Sequence, residues 1–149
     1  MKYKTEKDLK EVYSFINEAE LALSDKTRTI NDSKYKEAIA AGAMASGVAG
    51  AGVAAAMAAG MLTPLAPIVI IGGLTGLIGR LIKKNRNEKK IRDAKVFAYK
   101  QAIEKQNAII KALKEETDAD KERIEYLIGI NQLLQQSSIE LQNELKQYQ

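Results

Sequence analysis

The stretch "AIAAGAMASGVAGAGVAAAMAAGMLTPLAPIVIIGGLTGLIGRLI", residues 38–82, decides the fold, because 42 consecutive residues from Ala38 to Gly79 carry no charge. One membrane span needs about 20 apolar residues, so this run is too long for one span and fits two. A turn is expected in the central "GMLTPLAP", where Thr63 suits a helix N-cap and Pro64 the first helical position. The sequence therefore predicts a helical hairpin over residues 34–82, with its turn residues at Gly60, Thr63, Pro64 and Pro67.

Small residues recur along both arms of the predicted hairpin. Nine of the ten glycines lie between residues 42 and 79. Glycine costs about 1 kcal/mol relative to alanine inside a helix, whereas small faces let two helix backbones approach closely. We therefore expect these residues to form helix contacts, between the two arms or between copies of the chain. The predicted packing positions are Gly42, Ser46, Gly50 and Ala54 in the first arm and Gly72, Gly76 and Gly79 in the second.

Positive charge follows the uncharged run directly. Residues 80–95 hold eight basic and two acidic side chains. A basic flank beside a span is typical of the cytoplasm-like side of a membrane, where it contacts anionic headgroups. The predicted headgroup-binding residues are Arg80, Lys83, Lys84, Arg86, Lys89 and Lys90. A DNA-contacting basic region and an ordinary solvated face are the alternatives, and nucleic acid is the less favoured partner because the heptads that follow are irregular.

Helices are predicted on both sides of the hairpin. Residues 5–30 have apolar positions three and four residues apart, with a loop or frayed end near 24–33 and Ser33 as the cap of the next helix. Residues 83–149 carry heptads, and a bend near Asp118 would give two antiparallel helices, while an unbroken helix over 85–147 is the alternative. The predicted seam consists of Ile110, Leu113, Ile124, Leu127, Leu134 and Leu141. The expected class is all-α, divided into an N-terminal amphipathic helix (1–33), the hairpin (34–82) and a basic run with coiled-coil helices (83–149).

The composition argues against catalysis. The chain has no Cys and no His, which removes the usual zinc ligands and the usual general base. We therefore expect no enzyme activity, no metal and no cofactor. The charged N-terminus has no apolar core of a secretory signal peptide. Two spans would return the chain to its starting side, so both termini are expected on the cytoplasm-like side, and a soluble form before insertion is also compatible with the sequence.

The uncharged hairpin of residues 38–84, with its Pro-containing turn and long flanking helices, resembles the hydrophobic hairpin of α-helical pore-forming toxins of the haemolysin and enterotoxin type. Type III secretion translocators and apolipoprotein L-like proteins are similar in this region, and phage holins and small antiphage effectors also combine short hairpins with charged helical tails. The resemblance implies a non-enzymatic protein that oligomerises, alone or with other helical components, and permeabilises a bilayer. A membrane-anchored coiled-coil scaffold and a soluble helical interaction protein are the alternatives.

Overall fold

A computed structural model describes residues 2–45, 86–115 and 120–146 of the chain. These residues form helices and no strand, which confirms the predicted all-α class. The helices are α1 (Lys10–Ser24), α2 (Lys36–Ala45), α3 (Arg86–Glu115) and α4 (Lys121–Lys146). Two short 3-10 helices, Glu6–Leu9 and Ile30–Asp32, precede α1 and α2.

The C-terminal heptads form two helices and not one. The Lys95 ammonium of α3 lies 3.0 Å from the Glu144 carboxylate of α4, and the Gln106 amide donates to the Ser138 hydroxyl at 2.8 Å. A later residue of α3 thus pairs with an earlier residue of α4, so the helices run antiparallel. The predicted bend at Asp118 lies outside the described residues, which end at Glu115 and resume at Asp120.

The first helix ends where short polar side chains compete with the helical backbone. α1 stops at Ser24, and the Asp25 carboxylate accepts hydrogen bonds from the Thr27 backbone N–H at 2.9 Å and from its hydroxyl at 2.6 Å. Such local bonds replace helical ones. After the loop, the Ser33 hydroxyl accepts a hydrogen bond from the Tyr35 backbone N–H at 3.0 Å, which is the kind of capping bond expected before α2.

Helix α4 is the central element, since it contacts each of the other three helices. α1 runs antiparallel to α4: the segment before α1 contacts Glu144 through Tyr3, and Glu18 further along contacts Tyr126. The core fills the space between the helices. Its largest fully buried apolar side chains are Tyr99, Tyr126, Leu9, Ile39, Ile109, Leu127, Ile130 and Leu134.

Candidate functional site at the base of the uncharged segment

The described part of the uncharged run, Ala38–Ala45, belongs to α2 and packs into the bundle. Ile39 is fully buried and Ala43 is 3% exposed. A Cβ atom built at Gly42 would lie 3.5 Å from Leu133 Cγ, while Ile39 faces Gly129, so α2 runs parallel to α4. The C-terminus of α2 therefore points toward the end of the bundle at which α3 begins and α4 finishes.

This end of the bundle, which holds Lys95 and Glu144, is called the upper end below. α2 ends in the direction of the upper end, and α3 begins at that end. The end of α2 and the start of α3 lie at different levels along the bundle axis. Along α4, Glu144 lies about eight residues beyond the level of Ala45. Glu144 contacts Lys95, and α3 begins nine residues before Lys95, still further in the same direction. At 1.5 Å per residue, α2 ends roughly 25 Å short of the level at which α3 begins.

Buried and exposed charges meet at the upper end. Glu144, only 6% exposed, accepts from the Tyr3 backbone N–H at 3.2 Å and from Lys95, which is fully buried. The Tyr3 hydroxyl donates to Glu140 at 2.7 Å, and Lys2 contacts the same carboxylate at 3.1 Å. Burial, followed by the hydrogen bond to Glu140, raises the pKa of Tyr3 above its ordinary value of 10.0. These contacts tie the N-terminus, α3 and α4 together.

The predicted basic run divides between the surface and the interior. Lys90 is exposed and lies 3.9 Å from Glu6, and Lys89 is partly exposed. Arg92 and Lys95, which continue the run, are fully buried. Arg92 Nη2 lies 3.5 Å from Asp93, and its Nε and Nη1 atoms have no hydrogen-bond partner among the described residues. Among the described basic residues of this run, only Lys89 and Lys90 therefore offer charge to a surface.

Two further lysines lie beside this run, and the sequence analysis did not single them out. Lys4 and Lys7, near the first 3-10 helix, line an open groove together with Lys90 and Ile91. They belong to the N-terminal segment, which has no net charge over residues 1–37 and therefore gave no compositional signal. Only the pairing of that segment with the start of α3 brings the lysines together.

Two glycines lie where α2 and α4 approach each other closely. A Cβ atom built at Gly42 would lie 3.0 Å from the carbonyl oxygen of Gly129. One built at Gly129 would overlap the carbonyl oxygen of Ile39 and lie 2.9 Å from its carbonyl carbon. Gly42 was predicted to pack against the second arm or another copy, and its described contact is with α4. Gly129 was missed, although it is the only glycine outside residues 42–79.

The predicted seam residues of α3 and α4 are buried to different degrees. Ile124 is only partly buried. The other five are at most 7% exposed: Ile110, Leu113, Leu127, Leu134 and Leu141. The polar residues that interrupt the heptads lie inside as well. Gln106 and Ser138 bond to each other across the interface, while Asn131 Oδ1 is buried without a partner among the described atoms.

A second polar cluster lies at the opposite end of the bundle. Glu18, 2% exposed, accepts hydrogen bonds from the Tyr126 hydroxyl and from Arg28, the latter at 3.1 Å. Burial opposes ionisation of Glu18, but the hydrogen bonds from Tyr126, Ser33 and Arg28 outweigh it, so its pKa lies below the ordinary value. Arg123 donates to the backbone carbonyls of Asp25 and Arg28, which anchors the loop after α1.

Most of the predicted hairpin cannot be placed. Its packing positions beyond Gly42 (Ser46, Gly50, Ala54, Gly72, Gly76, Gly79), its turn residues (Gly60, Thr63, Pro64, Pro67) and three basic residues (Arg80, Lys83, Lys84) lie outside the described residues. Arg86 begins α3, and its side chain is also outside the described set. None of the helices in residues 2–45, 86–115 and 120–146 is both long and apolar enough to cross a bilayer.

Comparison with protein-family models, curated proteins and solved structures finds no match to this chain.

Proposed function

We propose that this protein is a non-enzymatic, membrane-inserting helical protein that oligomerises and permeabilises a bilayer through residues 38–82. The observation that carries the proposal is the 42-residue uncharged run, which begins within α2, whose C-terminus points toward the upper end, and is followed in the chain by α3, which begins at that end. A chain that enters and leaves a membrane on the same side needs an even number of spans, and this run has the length of two. The soluble helices then stay on one side of the bilayer.

The charges of the upper end support the same orientation. Lys4, Lys7, Lys89 and Lys90 lie near the start of α3, where an inserted hairpin would bring the bundle against the headgroups. Each lysine near an anionic surface contributes about 1 kcal/mol to binding. Two spans in one chain cannot enclose water while satisfying their backbone and polar groups against lipid, so a pore requires several copies.

The test is flotation of the purified full chain with liposomes, followed by dye release from the same sample. We expect co-flotation and release with vesicles of phosphatidylserine and phosphatidylcholine, and weaker binding to phosphatidylcholine alone. Absence of both binding and release, across pH and anionic-lipid content and with normal helicity, would refute the proposal.

The headgroup contacts are tested with a matched pair of variants. Lys89→Gln with Lys90→Gln removes about 2 kcal/mol of attraction, so binding to anionic vesicles should weaken about 30-fold. Lys111→Gln with Lys114→Gln makes the same charge change on exposed residues at the opposite end of α3. If both pairs weaken binding equally, the upper end does not face the membrane.

A membrane-anchored scaffold is the second candidate, favoured by an exposed aromatic surface on the bundle. Phe97 is 54% exposed and its ring centroid lies 6.4 Å from that of Tyr13, beside a groove that includes Leu9 and Ala94. A scaffold would recruit a partner here and need the hairpin only as an anchor. Replacing residues 38–82 by an unrelated two-span hairpin should preserve the cellular function of a scaffold and abolish that of a pore-forming protein.

A further inference from the structure

We infer that the contact between α2 and α4 is a latch, which keeps Ala38–Ala45 out of the membrane hairpin until it opens. The latch consists of Ile39, Gly42 and Ala43 on α2, packed against Gly129 and Leu133 on α4. The inference rests on the proposed function, and its test separates the two.

The length of the uncharged run favours the latch. With α2 docked, eight of the 42 uncharged residues are held in the bundle, and the 34 from Ser46 to Gly79 remain. Two spans of about 20 residues need about 40, before any turn is counted. The docked α2 also ends roughly 25 Å below the level at which α3 begins, a distance that the connection from α2 to α3 has to cover in addition to any hairpin. A complete two-span hairpin therefore requires α2 to leave α4.

The chemistry of the contact between α2 and α4 also favours the latch. The three residues of α2 that form the latch have no polar side-chain group, and no ion pair joins α2 to another helix within the described ranges. By contrast, Lys95 and Glu144 join α3 to α4, and Glu18 and Tyr126 join α1 to α4. Release of α2 leaves both of these buried polar contacts in place, and it moves apolar residues into lipid, where they remain away from water.

The chain offers a direct way to lock the latch, because it contains no cysteine of its own. A Cβ atom built at Gly42 lies 3.7 Å from Gln132 Cβ. This separation matches the Cβ–Cβ distance of about 3.8 Å in disulfides. The double variant Gly42→Cys with Gln132→Cys can therefore be oxidised to hold α2 on α4 and reduced to free it, and the same protein serves as its own reference.

The experiment measures dye release from phosphatidylserine-containing vesicles before and after reduction. Oxidation should abolish release in proportion to the cross-linked fraction found by thiol titration, and reduction should restore it. The single variant Gln132→Cys, given the same oxidant, controls for oxidation. As a second approach without a cross-link, Gly129→Ala crowds the contact and should speed release roughly 30-fold, and Gly42→Ala should do so less.

The outcomes separate the latch from the proposed function. Equal release by the oxidised and reduced double variant overturns the latch and leaves the membrane function standing. Failure of the pair to cross-link in a folded, helical protein also overturns the latch, because α2 would then not lie where the latch needs it. No release by any form, including the unmodified chain, refutes the membrane function and the latch with it.

Discussion

Substitution of Gly129 by alanine tests the packing of α2 on α4 with a single methyl group. That methyl would overlap the Ile39 carbonyl oxygen and lie 2.9 Å from its carbonyl carbon, closer than real Cβ atoms come to other heavy atoms. The obstructing atoms are the carbonyl oxygen and carbon of Ile39 together with its side-chain Cγ2, so rotating that side chain cannot relieve the overlap and α2 itself must shift. Overpacking of this kind costs about 1–3 kcal/mol, and the larger value applies because rotating a side chain cannot relieve an overlap with backbone atoms. Alanine recovers about 1 kcal/mol of helix propensity in α4, which leaves a net loss of about 2 kcal/mol.

Thermal unfolding followed by circular dichroism measures this loss. For a bundle of about 100 residues, 2 kcal/mol corresponds to a fall in Tm of about 8–16 °C. The matched control is Gly42→Ala, where the added methyl lies 3.0 Å from the Gly129 oxygen and needs a shift of only a few tenths of an ångström. It should stay within about 1 kcal/mol of the unmodified protein, because the propensity gain offsets the crowding. A Gly129→Ala protein as stable as the parent, or more stable, would refute the close helix contact.

Two further predictions concern the buried polar pairs. Glu18 has a lowered pKa in the folded protein, so its ionised carboxylate contributes to folding stability above its unfolded pKa, and this contribution is lost as pH falls below about 4.5. Glu18→Gln should therefore flatten the pH dependence of the denaturation midpoint in that range. Ser138→Ala leaves the buried Gln106 amide without its acceptor and should cost about 2 kcal/mol in urea unfolding, whereas the same change in a Gln106→Leu background should cost less than about 1 kcal/mol. Equal costs of Ser138→Ala in both backgrounds would mean that the two side chains do not interact.

Periodicity was sufficient to predict α1, because this helix buries one face. The three- and four-residue spacing of Leu9, Val12, Ile16 and Ala19 corresponds to four buried positions. The polar loop near 24–33 follows from Ser, Asp and Thr side chains that bond to the nearby backbone, which is a local effect and therefore visible in the sequence. The choice between one C-terminal helix and two stayed open, since heptads continue on both sides of Asp118.

Pairing between distant segments was not visible in the sequence. The uncharged run indicated that Gly42 packs against a helix, but nothing local identified Gly129 as the residue that it meets. The basic run was predicted to form one exposed surface. Arg92 and Lys95 are nevertheless buried, because α3 turns those positions inward. Lysine has a long stem and one terminal charge, so its burial depends on a partner such as Glu144, which is 49 residues away in the chain.

The distribution of buried charge gives the bundle one helix that is easier to detach than the others. Removing either partner of a buried ionic contact leaves an uncompensated charge and costs about 3–5 kcal/mol. Separating α3 from α4 breaks the ion pair between Lys95 and Glu144, and separating α1 from α4 breaks the buried hydrogen bond that the Tyr126 hydroxyl donates to Glu18. Separating α2 exposes Ile39, Ala43 and the face of α4 that they cover, which are apolar groups that a bilayer would cover again; full burial of Ile39 alone is worth about 2–3 kcal/mol in water. If the protein inserts as proposed, we therefore expect α2 to leave the bundle while the other three helices stay assembled.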